Sequence, residues 1–248
     1  MAWEGSKEGG ITKDNKGGVR LLILIAPSII AADLADLKNA VIMAEKGNAD
    51  LIHLDVMDGN FVPNITFGFS TIKALRKYTN ILFDTHLMIS NPLKYVDNFI
   101  NAGSDIITVH IEVCNAETLR EIIDKINDKG KKAGIALNPN TDFPEWVIEM
   151  LDAVYLLNIM SVYPGFSGQK LIPETLIKMK RVHEMIKELG LKTVIEADGG
   201  VEENNIAEVI RAGAEIIVAG NAIYSKNDIP KAIRDLRFNA QLALKEAA

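Results

Sequence analysis

The 248-residue chain carries 27 Lys and Arg against 33 Asp and Glu, a net charge of −6, so it has no basic field for nucleic acid or an anionic membrane, and any anion site must be local. Hydrophobic residues make up 48%, enough to fill a substantial core, which excludes disorder over most of the length. The one cysteine, Cys114, forbids an intrachain disulfide and reads as a buried small hydrophobe, so the expected compartment is the cytoplasm.

Met1 to Gly18 is rich in Gly, Lys and Glu without hydrophobic periodicity, and residues 1–20 are expected to form a disordered extension. Lys16-Gly17-Gly18-Val19 is consistent with a translated ribosome-binding sequence ahead of a start at Val19. One domain is expected over 21–248. The apolar run Leu21 to Ile30 is interrupted by Pro27 and Ser28 and followed by Asp33, which suits a first core strand better than a signal segment. Apolar, β-branched runs then recur at 51–58, 81–89, 106–111, 132–138, 153–162, 193–198 and 215–220. Amphipathic stretches separate them near 33–47, 68–78, 92–102, 116–130, 144–151, 174–190 and 203–213, and a last one follows at 228–245. Three helix-to-strand joints resemble one another, with Gly47, Gly103 and Gly213 placed as helix C-caps. Eightfold βα alternation without a linker predicts a single (β/α)8 TIM barrel, whose active site lies at the C-terminal strand ends. Ser28, Asp55, Asp58, His86, Asn138, Ser161 and Asp198 fall late in strands 1, 2, 3, 5, 6 and 7, within expected reach of one pocket.

Alternation puts His53 and Asp55 on one strand face, and Asp84-Thr85-His86 occupies the end of the next strand. Taken singly, either histidine reads as a core residue, and Asp198 as a turn acid before Gly199-Gly200. Jointly, two histidines and two carboxylates form a mixed N/O set suited to one divalent Zn²⁺, Fe²⁺, Mn²⁺ or Co²⁺ per chain. Asp55 and Asp198, from strands 2 and 7, are expected on roughly opposite sides of the mouth, where they can move protons on the two faces of a carbon. A metal there would hold the resulting enediolate as a Lewis acid, which implies epimerisation. Glycine-rich segments at Gly165-Phe166-Ser167-Gly168, Gly199-Gly200 and Gly220-Asn221 follow strands 6, 7 and 8, where such barrels bind phosphate through backbone amides. Met57, Met88 and Met160 either fill the core or wall the reacting centre against water.

Ala26-Pro27-Ser28-Ile29, the run from His53-Leu54-Asp55-Val56-Met57-Asp58 to Asn64, His86-Leu87-Met88 and Pro164-Gly165-Phe166-Ser167-Gly168-Gln169 together resemble ribulose-phosphate 3-epimerases, over about residues 24 to 225. The resemblance implies interconversion of D-ribulose 5-phosphate and D-xylulose 5-phosphate, with His53, Asp55, His86 and Asp198 on the metal and Asp55 and Asp198 as the acid/base pair. It implies that Ser28 and His86 touch substrate, that Gly165 to Gly168, Gly199, Gly200, Gly220 and Asn221 hold the phosphate, and that the three methionines line the pocket. A homo-oligomer, dimer or hexamer, is also implied. Tyr163, Asn158 and Asn221 depart from the family pattern, and D-allulose-6-phosphate 3-epimerases share the metal and acid/base residues, so the hexulose phosphate stands as the alternative substrate. A decarboxylase or aldol-type lyase of the same barrel would carry Asp-x-Lys-x-x-Asp on strand 3. Here His86 and Ile89 occupy the Lys and second Asp positions. A non-catalytic sugar-phosphate binder would have little use for two opposed carboxylates.

Overall fold

The computed structural model describes residues 11–13, 19–21 and 23–247. Ile11–Lys13 and Val19–Leu21 pair as a two-stranded antiparallel ribbon outside the main sheet; the rest of the expected disordered extension lies outside the described residues. The main sheet holds eight parallel strands: β1 (Leu24–Pro27), β2 (Leu51–Met57), β3 (Leu82–Met88), β4 (Ile106–His110), β5 (Lys132–Leu137), β6 (Leu156–Met160), β7 (Val194–Asp198) and β8 (Ile216–Ala219). Each pairs with its sequence neighbours, β8 closes onto β1, and a single bridge, Ser28 to His53, joins β1 to β2. The TIM barrel expected from the alternation is the observed fold.

Helices α1 (Leu37–Lys46), α2 (Phe69–Leu75), α3 (Pro92–Ala102), α4 (Ala116–Asp128), α5 (Glu145–Ile148), α6 (Glu174–Glu188), α7 (Ile206–Arg211), α8 (Asn221–Tyr224) and α9 (Ile229–Ala247) follow the strands. Their caps explain several boundaries. Asp36, Asn91 and Asn115 accept backbone N–H groups at the starts of α1, α3 and α4, and Pro92 sits inside the first turn of α3. One predicted element is shorter than its pattern, and one helix was not predicted. The stretch 144–151 is only α5 followed by a 3-10 turn, Leu151–Ala153, and α8 interrupts what the sequence shows as a loop after β8. Gly47 is the C-cap residue of α1, as expected; its φ is −78°, and the following Asn48 takes the left-handed conformation at φ 60°. Glycine is needed at 47 for space, since a Cβ there would meet Ile233 Cδ1 at 2.7 Å.

The strands are buried on both faces, so they read as unbroken apolar runs, but their two faces differ in chemistry. Outward residues such as Ile52, Leu54, Leu87 and Ile107 pack with the helices in one large core. Inward residues repeat every second position. Leu24, Leu51, Ile106, Leu156, Val194 and Ile216 close the bottom of the barrel. Above them the inward positions turn polar, with His53, Asp84, Thr108, Asn158 and Glu196 buried. The next inward positions are Ser28, Asp55, His86, His110 and Asp198, so the barrel carries its chemistry on top of an apolar floor.

Candidate metal and active site

His53 and Asp55 project inward from β2, His86 from β3 and Asp198 from β7, and their ligand atoms gather within 4.8 Å of one another. His53 Nε2 lies 3.4 Å from both Asp55 Oδ1 and Asp198 Oδ2; His86 Nδ1 lies 3.6 Å and 3.2 Å from the same two oxygens. A tetrahedral ion with bonds of about 2.0–2.1 Å has ligands about 3.3 Å apart, so these separations fit a four-coordinate centre. Both ring nitrogens are fully buried and have no hydrogen-bond partner, which a cation would supply.

The surrounding bonds set the ring orientations. His53 Nδ1 meets the buried Asp84 Oδ2 at 2.6 Å; the carboxylate accepts, so Nδ1 carries the proton and Nε2 presents its lone pair to the centre. Ser28 Oγ donates to Asp55 Oδ2 at 2.5 Å, and Asn158 Nδ2 donates to Asp198 Oδ2 at 3.1 Å. Burial opposes ionisation of Asp55, but the closeness of the His53 and His86 imidazoles outweighs it and holds the carboxyl at about 2. Asp198 is likewise held well below the carboxylate range against its burial, first by His53. Burial disfavours the charged form of His53, yet Asp55, Asp84 and Asp198 raise it well above its ordinary value. Burial and the Asp84 charge push the Glu196 carboxyl the other way, well above its ordinary value.

A cleft open to solvent lies above this centre. Ser28, Asp55, Met57, Met88, Met160, Asp198 and Gly199, Gly200, Gly220 and Asn221 line it, as does the loop Tyr163 to Gln169. No Lys or Arg is among its lining residues, so an anion there would have only backbone amides and uncharged polar side chains such as Ser167, Gln169 and Asn221 to receive it. Gly200 has φ +67° and a Cβ would strike Leu171 N at 2.3 Å, so only glycine lets the β7 loop close against the β6 loop. Asn64 Nδ2 donates to Gly165 O at 2.7 Å, and Gln169 Nε2 donates to Tyr163 O and Phe166 O, which order the 163–169 loop over the mouth.

This arrangement coincides with an independent match. Residues 24–224 match the family model described as "Ribulose-phosphate 3 epimerase family". The chain belongs to the ribulose-phosphate 3-epimerase family. It is 47% identical to the ribulose-phosphate 3-epimerase of Bacillus subtilis (strain 168) over 87% of this chain and 99% of that one. With the Escherichia coli (strain K12) ribulose-phosphate 3-epimerase it shares 42% over 86% and 94%. The chain is therefore an isomerase of the epimerase type. Solved structures with the same fold include KGPDC from Streptococcus mutans, at 15% identity and a TM-score of 0.66, covering 89% of this chain and 98% of that one. Another is 3-hexulose-6-phosphate synthase from Salmonella typhimurium, at 18% and 0.63, covering 89% and 100%.

Several expectations need correction within the epimerase barrel. Asp58, Asn138 and Ser161 do not line the cleft. Asp58 turns outward to cap the β2 loop and bind Ser90, Asn138 sits in a loop held by Lys178, and Ser161 Oγ donates to Gly199 O. His86 is fully buried behind the two carboxylates and does not line the cleft that it was expected to share with substrate. Asn158 does not line the pocket either; it lies beneath, on Asp198. Cys114 is half-buried rather than buried, and burial and Glu112 push its thiol up to about 11. Sequence reasoning missed His110, which contacts His86, and Glu112, which contacts His110. Their spacing repeats that of His53 and Asp55 at the end of β4, which was the available signal.

Proposed function

We propose that the protein interconverts D-ribulose 5-phosphate and D-xylulose 5-phosphate. The observation that carries this reading is the buried four-donor cluster whose two carboxylates border a cleft framed by glycine loops and free of basic side chains. His53, Asp55, His86 and Asp198 would hold one divalent ion, Zn²⁺, Fe²⁺, Mn²⁺ or Co²⁺ by the donor set. Such an ion supplies Lewis-acid polarisation of the sugar's oxygens, which acidifies the C3 hydrogen.

The protein's own groups supply the rest. One of Asp55 and Asp198 removes the C3 proton and the other returns a proton to the opposite face, the roles exchanging with the direction of reaction. The Ser28 hydroxyl on Asp55 Oδ2 and the Asn158 amide on Asp198 Oδ2 fix the two carboxylates in place. Met57, Met88 and Met160 border the same cleft and exclude water from the carbanion. Backbone amides of the loops at 165–168, 199–200 and 220–221 bind the phosphate. Cytoplasmic location and a homo-oligomeric state belong to the same reading; light scattering tests the second. Among the described residues no helix is long and apolar enough to cross a membrane.

The test is kcat/KM for D-ribulose 5-phosphate beside D-allulose 6-phosphate, with deuterium incorporation from D₂O. Preference for the pentulose phosphate with label at C3 supports the reading. Preference for the hexulose phosphate replaces the substrate, and absence of label from either removes the proton-transfer mechanism.

A further inference from the structure

The second imidazole of the cluster is oriented from further away than the first. His86 Nε2 lies 2.8 Å from His110 Nε2, His110 Nδ1 lies 2.9 Å from Glu112 Oε2, and both rings are fully buried. The His86 and His110 rings stack at 4.9 Å with 20° between their planes, and Phe61 also packs on His110, its ring 4.7 Å away and tilted by 51°, so His110 is confined by two rings. Glu112 is itself pinned. Its Oε1 accepts the Asn138 N–H at 2.7 Å and the Thr141 hydroxyl at 2.5 Å.

From these contacts we infer that Glu112 and His110 are positioning residues: a hydrogen-bond relay that fixes His86 in the tautomer whose Nδ1 lone pair faces the four-donor centre. The inference rests on the metal site proposed above only for what that lone pair is for. A carboxylate has no proton to give, so His110 Nδ1 must donate to Glu112. A neutral imidazole carries one N–H, which leaves His110 Nε2 as an acceptor. The nitrogen facing it, His86 Nε2, must then donate. His86 Nδ1 is left bare, 3.2 Å from Asp198 Oδ2 and without a hydrogen-bond partner. Thus both histidines present a lone pair to the centre, His53 because Asp84 holds its other nitrogen directly, and His86 because Glu112 does so through a second ring.

The relay has a direction, and one substitution reverses it. In Glu112→Gln the Asn138 N–H and Thr141 hydroxyl still require an oxygen at the Oε1 position, so the amide turns its NH₂ toward His110. That NH₂ donates to Nδ1, moves the His110 proton to Nε2, and makes His110 the donor to His86 Nε2. His86 is then driven to carry its proton on Nδ1, where the ion would bind. Loop anchoring survives because both contacts to Oε1 are kept.

Two measurements test this. Nitrogen-15 NMR of the histidine rings of the full-length wild-type protein should show the His110 proton on Nδ1, with and without Zn²⁺, and in Glu112→Gln the proton should move to Nε2. Co²⁺ titration followed by visible absorption should show affinity falling about 10- to 100-fold in Glu112→Gln, as for other groups that hold a metal-ligating histidine. Thr141→Val, which removes an anchor of Glu112 without touching the rings, should bind Co²⁺ within about twofold of wild type. A wild-type His110 protonated on Nε2 overturns the relay, and decides the matter even if Glu112→Gln fails to fold. Unchanged Co²⁺ affinity in a folded Glu112→Gln overturns it as well, as does an equal loss in Thr141→Val, which would make Glu112 a loop anchor. If the wild-type protein binds no Co²⁺, the metal site falls, and the relay stands or falls on the His110 proton alone.

Discussion

On the proposed mechanism Asp55 and Asp198 serve opposite faces of one carbon, so their contributions are separable, and single substitutions should separate them. Asp55 and Asp198 come from β2 and β7, have ligand oxygens within 4.8 Å of each other, and both border the cleft. In Asp55→Asn the other carboxylate remains in place, held by the Asn158 amide at 3.1 Å. Inversion requires both groups and should slow by about 10²- to 10⁴-fold, the usual contribution of a positioned acid or base. That is about 3–5 kcal/mol of barrier. Exchange of the C3 hydrogen with solvent requires only the carboxylate on that face. Asp55→Asn should therefore wash deuterium from D₂O into one epimer without inverting it, and Asp198→Asn should do so into the other. Proton NMR of each pure epimer in D₂O reads both rates, after metal content has been equalised. Exchange of both epimers at similar rates in both variants would refute the division of labour between the acids.

Three further outcomes follow from other parts of the structure. Stripping the metal with a chelator should abolish turnover and lower the melting temperature, since a ligand at 100 times its Kd stabilises by about 2.7 kcal/mol; unchanged calorimetry and turnover in protein shown metal-free by elemental analysis would contradict the four-donor site. Gly200→Ala should destabilise by at least the roughly 1–3 kcal/mol of a strained backbone and raise KM, because the added methyl meets Leu171 N at a residue with φ +67°; wild-type melting and KM would show that the β6 and β7 loops need not touch. Burial raises the Glu215 carboxyl from 4.5 to about 7, so the fold favours its neutral form, and its contribution to stability is full below about pH 4.5 and lost as the pH rises to about 7. Glu215→Gln should remove that slope and stabilise the protein above pH 7 by up to about 3 kcal/mol, less with solvent screening; parallel pH profiles for the two proteins in urea melts would count against this.

The barrel was readable because parallel strands covered on both faces cannot hide their hydrophobicity: Leu51 to Met57 and Ile106 to His110 are buried at every position. Helix ends were less readable. Trp146 and Val147 extend an amphipathic pattern toward Leu151, but the backbone tightens into a 3-10 turn there, and α8 is too short to show a period. Gly47 caps α1 as expected, but what calls for glycine there is the closeness of Ile233 from α9, nearly two hundred residues away, which no local pattern encodes. The metal-site residues could be proposed because His53 and Asp55 share a face by simple alternation and sit beside His86 on the next strand.

What alternation alone does not reveal is which inward residue meets which across the barrel, and there the polar layer has its own logic. His53, Asp84, Asn158 and Glu196 are all wholly buried above the apolar floor, and each would be costly alone. They are tolerable because they constrain one another. Asp84 requires the proton of His53, burial and the Asp84 charge disfavour a charge on Glu196, and Asn158 gives its amide to Asp198. The last contact changes the meaning of Asn158: an amide that looked from the sequence like a change in the substrate pocket is a support under a carboxylate. Substrate selection is then left to the surface that remains, where Tyr163 and Phe166 stand half-exposed on the loop tied down by Asn64 and Gln169. On the proposed mechanism, then, the two carboxylates are held from below by the buried polar layer, and the choice of sugar falls to a loop above that carries neither Asp55 nor Asp198.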